Sequence, residues 1–308
     1  MEVFDCISYS KEVSDALSKG LPVVAIETAG TFEAFEYPLN KEVGNKIMNC
    51  IRDNGAVPAY IAIIKGQIKV GLNEEDVEYI SNPPSRLMKS SRRDIPMLIA
   101  TKQDALTSVA STMMIADLVG IKVVTGGGIG GVHRGASETF DISADLEEFT
   151  KSEVVVVSSG AKSILDLNLT MEYLETHSVS MGGYRTNELP AYMAVHSGIK
   201  LDFRFDSPSE VASCFKVKRE LKMPGSLLVC NPVEEKYAVD SDSMNAAILK
   251  AVKSASDNQI KGKVITKYIM DIVRSEMGED STETSIQMNL GNARLAAQIA
   301  SEIYASLK

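Results

Sequence analysis

The sequence predicts an α/β protein, a three-layer α/β/α fold built on a central, mixed and largely parallel sheet. Three observations carry this expectation. Short apolar, β-branched runs at residues 21–26, 121–125 and 153–158 have the length and composition of strands buried on both faces. Segments with helical spacing alternate with such runs along the chain, the pattern of a layered fold. No internal repeat, low-complexity tract or long linker divides residues 1–308, so a single domain is expected.

In chain order, residues 10–19 read as a short amphipathic helix closed by Gly20, and 21–26 as a strand ending on Glu27. The stretch 28–38, with Gly30, three aromatics and Pro38, reads as a loop that closes over something. Val43, Ile47 and Ile51 space a helix over 39–54 that Gly55 stops, and 57–64 with 67–70 form a hairpin around Lys65-Gly66. Asn73 caps a helix over 73–80, and Asn82-Pro83-Pro84-Ser85 is a break. A strand is expected over 97–101 and a helix rich in small residues and Met over 105–118. Further on, 169–177 is helical, 179–184 and 189–192 alternate short strands with turns, and Ser207-Pro208-Ser209-Glu210 starts a helix that runs to Leu221. After an apolar strand over 227–230 the tail is helical over 244–255, 266–277 and 290–307, with the acidic patch 278–283 linking the last two.

Composition narrows the function classes. A hydrophobic fraction of 44% and a charged fraction of 24% are those of an ordinary globular protein with a packed core. The net charge of -9, without a concentrated Lys/Arg stripe, offers no footprint for nucleic acid or an anionic membrane. An anionic small molecule would need a locally basic pocket instead. Cys6, Cys50, Cys214 and Cys230 are scattered without a CxxC pair, which argues against a zinc site or a disulfide framework. The opening residues carry acidic side chains and no basic flank, unlike a secretory signal, and the apolar neighbourhood 113–124 is too short to span a bilayer. A cytoplasmic protein is the expectation.

Chemistry-bearing residues follow two of the buried runs, where ligands sit in open α/β sheets. Gly126, Gly128 and Gly131 formally spell a dinucleotide motif, yet the polar stretch after them postpones the next helix to about Ser143. A glycine loop hugging a phosphate or other ligand, or a purely structural turn, fits better. His133-Arg134 could hold an anion, and Asp141 and Asp145, four apart, a hard cation or sugar hydroxyls, unless Ser143 or Asp141 merely caps a helix. With so few carboxylates a metal would keep several waters, which suits Mg²⁺ or Mn²⁺ better than Zn²⁺. Lys162 lies in a Gly-Ala-Lys-Ser loop leading to a helix, where the electropositive N-terminus and partial burial would make its amine nucleophilic. The plain alternative is a solvated lysine at the end of an element. Glu27, at the carboxyl end of a buried strand, is either a general acid or simply the first polar residue after the core.

Taken together, Val24-Ala25-Ile26-Glu27-Thr28, Lys89-Ser90-Ser91-Arg92-Arg93-Asp94, the TGGGIGGVHRG and TFDISADL segments and GAKSILDL resemble the pseudouridine-5′-phosphate glycosidase family. The match continues through Tyr173-Leu174-Glu175-Thr176, Asn231-Pro232, Gly262-Lys263 and Asn292-Ala293-Arg294-Leu295-Ala296-Ala297, nearly the whole chain. This resemblance implies reversible cleavage of the carbon–carbon bond joining uracil to ribose 5-phosphate, through a lysine Schiff base on the ring-opened sugar. By motif position it implies Lys162 as that lysine, Glu27 as proton donor and Asp141 as the manganese-associated aspartate. It further implies Lys89, Val109, Ser143, Ala144 and Asp145 as substrate-binding positions, His133 and Asn292 as phosphate or sugar contacts, and a homotrimer as the assembly. The chain departs from the family's pattern between residues 28 and 36, where a hydroxyl is lost at Ala29 and a His-Gly pair becomes Glu33-Ala34. The family's Gly-Gly-Thr-Thr-Val segment is here Ala105-Leu106-Thr107-Ser108-Val109, and a late Thr-Pro becomes Thr266-Lys267. A divergent relative, weakly active or acting on another nucleoside phosphate, is therefore a second reading.

Overall fold

The computed structural model describes residues 6–260 and 264–306. Gly262 and Lys263, and position 307 at the end of the expected last helix, lie outside the described residues. The strands are β1 (Ile7–Tyr9), β2 (Val23–Glu27), β3 (Val57–Ile64), β4 (Gln67–Val70), β5 (Met88–Ser90), β6 (Ala105–Thr107), β7 (Val123–Thr125), β8 (Val132–His133), β9 (Val155–Ser158), β10 (Leu165–Asp166), β11 (Ser180–Tyr184), β12 (Arg204–Phe205) and β13 (Leu227–Cys230). Eleven of them form one sheet with the path β1-β4-β3-β2-β7-β9-β13-β11-β12, and β6 joins β3 to β5 beside that path. The pairings from β3 through β2, β7, β9, β13 and β11 to β12 are all parallel, whereas β4 and β6 run antiparallel to β3. This is the mixed, largely parallel sheet the sequence predicts.

Both faces of the sheet are covered. In β2, Val23 and Ala25 belong to one apolar cluster and Val24 and Ile26 to the other, so the run shows no polar alternation. The long helix Glu279–Ser306 lays Ala293, Ala296, Ala297 and Ala300 against the second face, and these small side chains allow its backbone to come close. Among the described residues, no helix is long and apolar enough to cross a membrane.

Several local expectations need correction. Residues 97–101 are not a strand: Ile95–Ala100 is a helix with Pro96 in its first turn, where the missing N–H costs nothing. An apolar run of that length has no period to separate strand from helix. The expected helix over 105–118 begins instead at Val109, because 105–107 are β6 and Ser108 forms a capping box with Ser111. The stretch 28–38 holds one helical turn, Ala29–Phe32. In the stretch 189–192 only an isolated bridge, Ala191 to Ala194, forms. The acidic patch at 278–283 is no linker: the last helix starts at Glu279, and acidic residues suit its electropositive first turn.

Candidate active site

The sheet forks beside Glu27. Along β3, β2 pairs as far as Glu27 opposite Ile61, and the next two residues, Ala62 and Ile63, pair with β6 instead. Where the two strands part, a crevice opens beyond the carboxyl end of β2, the place where open α/β sheets receive ligands. Glu27 stands at its base, only 2% exposed, and neither carboxyl oxygen has a hydrogen-bond partner among the described residues. Burial pushes its pKa up, and the charges of Lys162 and Lys89 offset this only in part. A group in that setting holds its proton and can give it to a ligand. Gly30 and Gly126 leave the room it needs, since a Cβ on either would lie 2.8 Å from Oε2.

Lys162 is delivered by two loops that go on pairing after their strands have ended. Past β7 and β9, the N–H of Ser159 donates to Gly127 O at 2.9 Å, that of Ile129 to Gly160 O at 3.0 Å and that of Lys162 to Ile129 O at 3.1 Å. Gly160, at φ +78°, permits the turn; a Cβ there would meet Pro190 O. The lysine does not begin a helix, as the sequence suggests. A turn and β10 follow it, and the next helix starts at Leu167 under an Asp166 cap, so a helix terminus contributes nothing to its reactivity. Instead, Lys162 shares one hollow with Glu27, Gly30, Glu33, Lys89 and Tyr192.

A second hollow also contains Lys89 and is lined by Arg93, Ser108, His133, Asp141, Ser143, Ala144 and Asp145. His133 lies on β8, paired with β10 three residues past the lysine. Burial lowers its pKa against the pull of Asp141, with Lys162 adding to the fall, so it faces the hollow as neutral imidazole. Ser143 accepts the Asp145 N–H and caps the helix Ala144–Glu148, as the simpler reading allows. Both Asp145 oxygens are engaged by backbone, accepting from Ala110 N and Gly130 N at 2.8 Å each. Val109 opens the Ser108-capped helix and is 2% exposed. Asn292 lies beneath the glycine loop: its amide donates to Gly126 O, Gly127 O and Ser159 Oγ, and its oxygen accepts from Asn231.

Among the described residues, no group of three or more His, Cys, Asp or Glu gathers as a ready metal cage. With Asp145 taken up by backbone N–H groups, Asp141 is the carboxylate that the second hollow offers. One carboxylate suits a hard cation that keeps most of its waters, and does not suit zinc.

Five residues around the first hollow are absent from the sequence-derived site. Tyr192, at φ +63°, lies against Gly128, a conformation that sequence pattern does not announce. Lys267 and Arg274 lie on one face of the helix Ile265–Met277 and line the hollow with Asp271; their spacing of seven was the available signal. Arg86 pairs with Glu33 at 2.8 Å. Glu36, the other carboxylate of the altered segment, is exposed and lines neither hollow.

The family model described as "Indigoidine synthase A like protein" matches residues 12–302. The chain belongs to that family. Relatives within it named pseudouridine-5′-phosphate glycosidase include those of Hahella chejuensis, 46% identical over 97% of this chain and 99% of its own, and of Escherichia coli, 45% identical over 97% and 96%. Two solved structures share the family's fold. The prealnumycin C-glycosynthase AlnA, determined with ribulose 5-phosphate, superposes with a TM-score of 0.90 at 34% identity, covering 98% of both chains. An indigoidine synthase A-like protein from Thermotoga maritima gives 0.84 at 31%, covering 98% of this chain and 96% of its own.

Proposed function

We propose that this chain catalyses reversible cleavage of the carbon–carbon glycosidic bond of pseudouridine 5′-phosphate, giving uracil and ribose 5-phosphate. The observation that carries the proposal is Glu27, a buried carboxyl biased to its acid form in the hollow that also holds Lys162. The names of relatives that are 45–46% identical over nearly the full chain support the same reaction.

In this reading the Lys162 amine attacks C1′ as the ribose ring opens, and the ring oxygen leaves as the 4′-hydroxyl. The C1′–C5 bond then breaks: its electron pair goes to the uracil carbon, the amine lone pair closes the C1′=N bond, and the Glu27 proton arrives at that carbon. Water adds to the iminium, releasing ribose 5-phosphate and the free amine and returning a proton to Glu27. Lys89, His133 and Ser143 would contact the sugar phosphate, Ala144, Asp145 and Val109 would shape that wall, and Asn292 would hold the loop beneath. Asp141 would hold a divalent ion, Mn²⁺ or Mg²⁺, which when bound supplies positive charge beside the sugar phosphate. A homotrimer is the assembly that the family resemblance carries with it.

Borohydride reduction in the presence of ribose 5-phosphate tests the chemistry: a pentose phosphate should be found on Lys162 by peptide mass, and an unmodified lysine under turnover conditions rejects it. The alternative, a divergent binder or an enzyme for another nucleoside phosphate, rests on the altered segment 28–36. Uracil release from pseudouridine 5′-phosphate with Mn²⁺ separates the two, since binding without release favours the alternative.

A further inference from the structure

The two hollows flank the reacting centre and differ in character. The one with Lys89, Arg93, His133 and Ser143 offers two cations, a neutral imidazole and a hydroxyl for the sugar phosphate. The other contains Glu27, and an acid that protonates the departing carbon must face the base, so this first hollow takes the aglycone. Its wall carries four of the changes that set this chain apart from the family's pattern, Ala29, Glu33, Ala34 and Lys267, of which Glu33 and Lys267 bring new charges.

Their hydrogen bonding leaves specific capacity open. Oε1 of Glu33 accepts from Arg86 at 2.8 Å, and its Oε2 has no partner among the described residues. Lys267 reaches both oxygens of Asp271, at 3.0 and 2.9 Å, and an ammonium has a third N–H. Arg274 lies 3.7 Å from the same aspartate and lines the same space. A pyrimidine-2,4-dione presents an imide edge of acceptor, donor, acceptor. One carboxylate acceptor flanked by cationic donors is its complement.

We infer that Glu33, oriented by Arg86, and Lys267 form a specificity pair that reads the imide N–H and a flanking carbonyl of the leaving base. This rests on the proposed reaction for the identity of the base. A wall of this kind rejects a ring that lacks the imide proton, because the carboxylate would then lose its donor.

Calorimetric titration of the full-length protein with uracil and with 3-methyluracil tests the pair directly. The wild type should bind uracil at least about tenfold more tightly, and Glu33→Gln should lose most of that preference with an unchanged melting temperature. Lys267→Gln, on a different element, should weaken uracil by a comparable factor. Equal affinity of the wild type for the two bases, or an undiminished preference in Glu33→Gln, overturns the inference. Borohydride trapping of ribose 5-phosphate in the same preparations keeps the two ideas apart. Trapping on Lys162 without base discrimination removes the pair and leaves the reaction standing; discrimination without trapping does the reverse.

Discussion

Thr28, the residue after β2, and Thr107, the last residue of β6, hold one another reciprocally: Thr107 N donates to Thr28 Oγ1 at 2.8 Å, and Thr28 N to Thr107 Oγ1 at 3.4 Å. Both hydroxyls then donate to Ile61 O, at 2.9 and 2.7 Å. The pair therefore closes the fork in the sheet immediately after Glu27. Thr107→Val keeps the shape, removes a donor and an acceptor, and leaves the buried Thr28 N–H unsatisfied. A loss of about 1–3 kcal/mol in urea unfolding is expected, with a fall in kcat as Glu27 loses its support.

Glu27 itself should act against stability. Its ordinary value is 4.5, and burial raises the folded-state pKa above that. Below 4.5 both states hold the proton; above it the unfolded chain releases a proton that the folded chain keeps, so stability falls as pH rises toward the folded pKa. Glu27→Gln should thus match the wild type near pH 4 and exceed it increasingly at higher pH, by about 1.4 kcal/mol per pH unit between the two pKa values. Activity of the same variant should drop by about 10² to 10⁴. Unfolding curves measured from pH 4 to 8 with coincident slopes for both proteins would contradict the protonated state.

Gly30 has no positive φ, so alanine is allowed there by the backbone and only the approach of its Cβ to Glu27 Oε2 matters. Gly30→Ala should displace the carboxyl and lower kcat by at least about tenfold while the melting temperature moves little. Gly126→Ala, whose Cβ would meet the same oxygen at 2.8 Å, should behave alike. Wild-type turnover in either variant would show that the acid does not sit where it acts.

Asn292→Ala removes the amide that holds Gly126 O, Gly127 O and Ser159 Oγ together in a fully buried place. A destabilisation of about 2–4 kcal/mol is expected by thermal unfolding, from orphaned polar groups and the void left behind. Asn292→Asp, which fits the space but cannot donate, should recover little of it.

The centre of this molecule was readable from its residues because it is a matter of runs. Strands β2, β7 and β9 are Val-rich, buried on both faces and followed at once by polar groups, so Glu27 and the glycine loop fell where a parallel sheet puts its ligands. Residues 95–100 deceived because six apolar residues have no period, and only long-range pairing decides which of two neighbouring segments enters the sheet. Lys162 stood out by its place after a strand, and the structure puts it in the hollow with Glu27 by another route: loop-to-loop pairing holds it, with no helix terminus involved. Asp145 looked like a ligand and turns out to brace two backbones, since a carboxylate's partners are set by segments far away in sequence. Tyr192 gave no local signal, and the spacing of Lys267 and Arg274 marks one helix face without saying which hollow it lines, because both enter from separate elements late in the chain.

The paired loops after β7 and β9 extend sheet-like hydrogen bonding outward beyond the last strand residues. The amine is therefore mounted on the same stiff platform as the core, while the segment 28–38 and the helix 265–277 reach the hollow from outside it. Mutational drift can remodel those two rims without disturbing Lys162. A scaffold divided in this way keeps one sugar chemistry fixed and leaves the choice of partner for that sugar open to change.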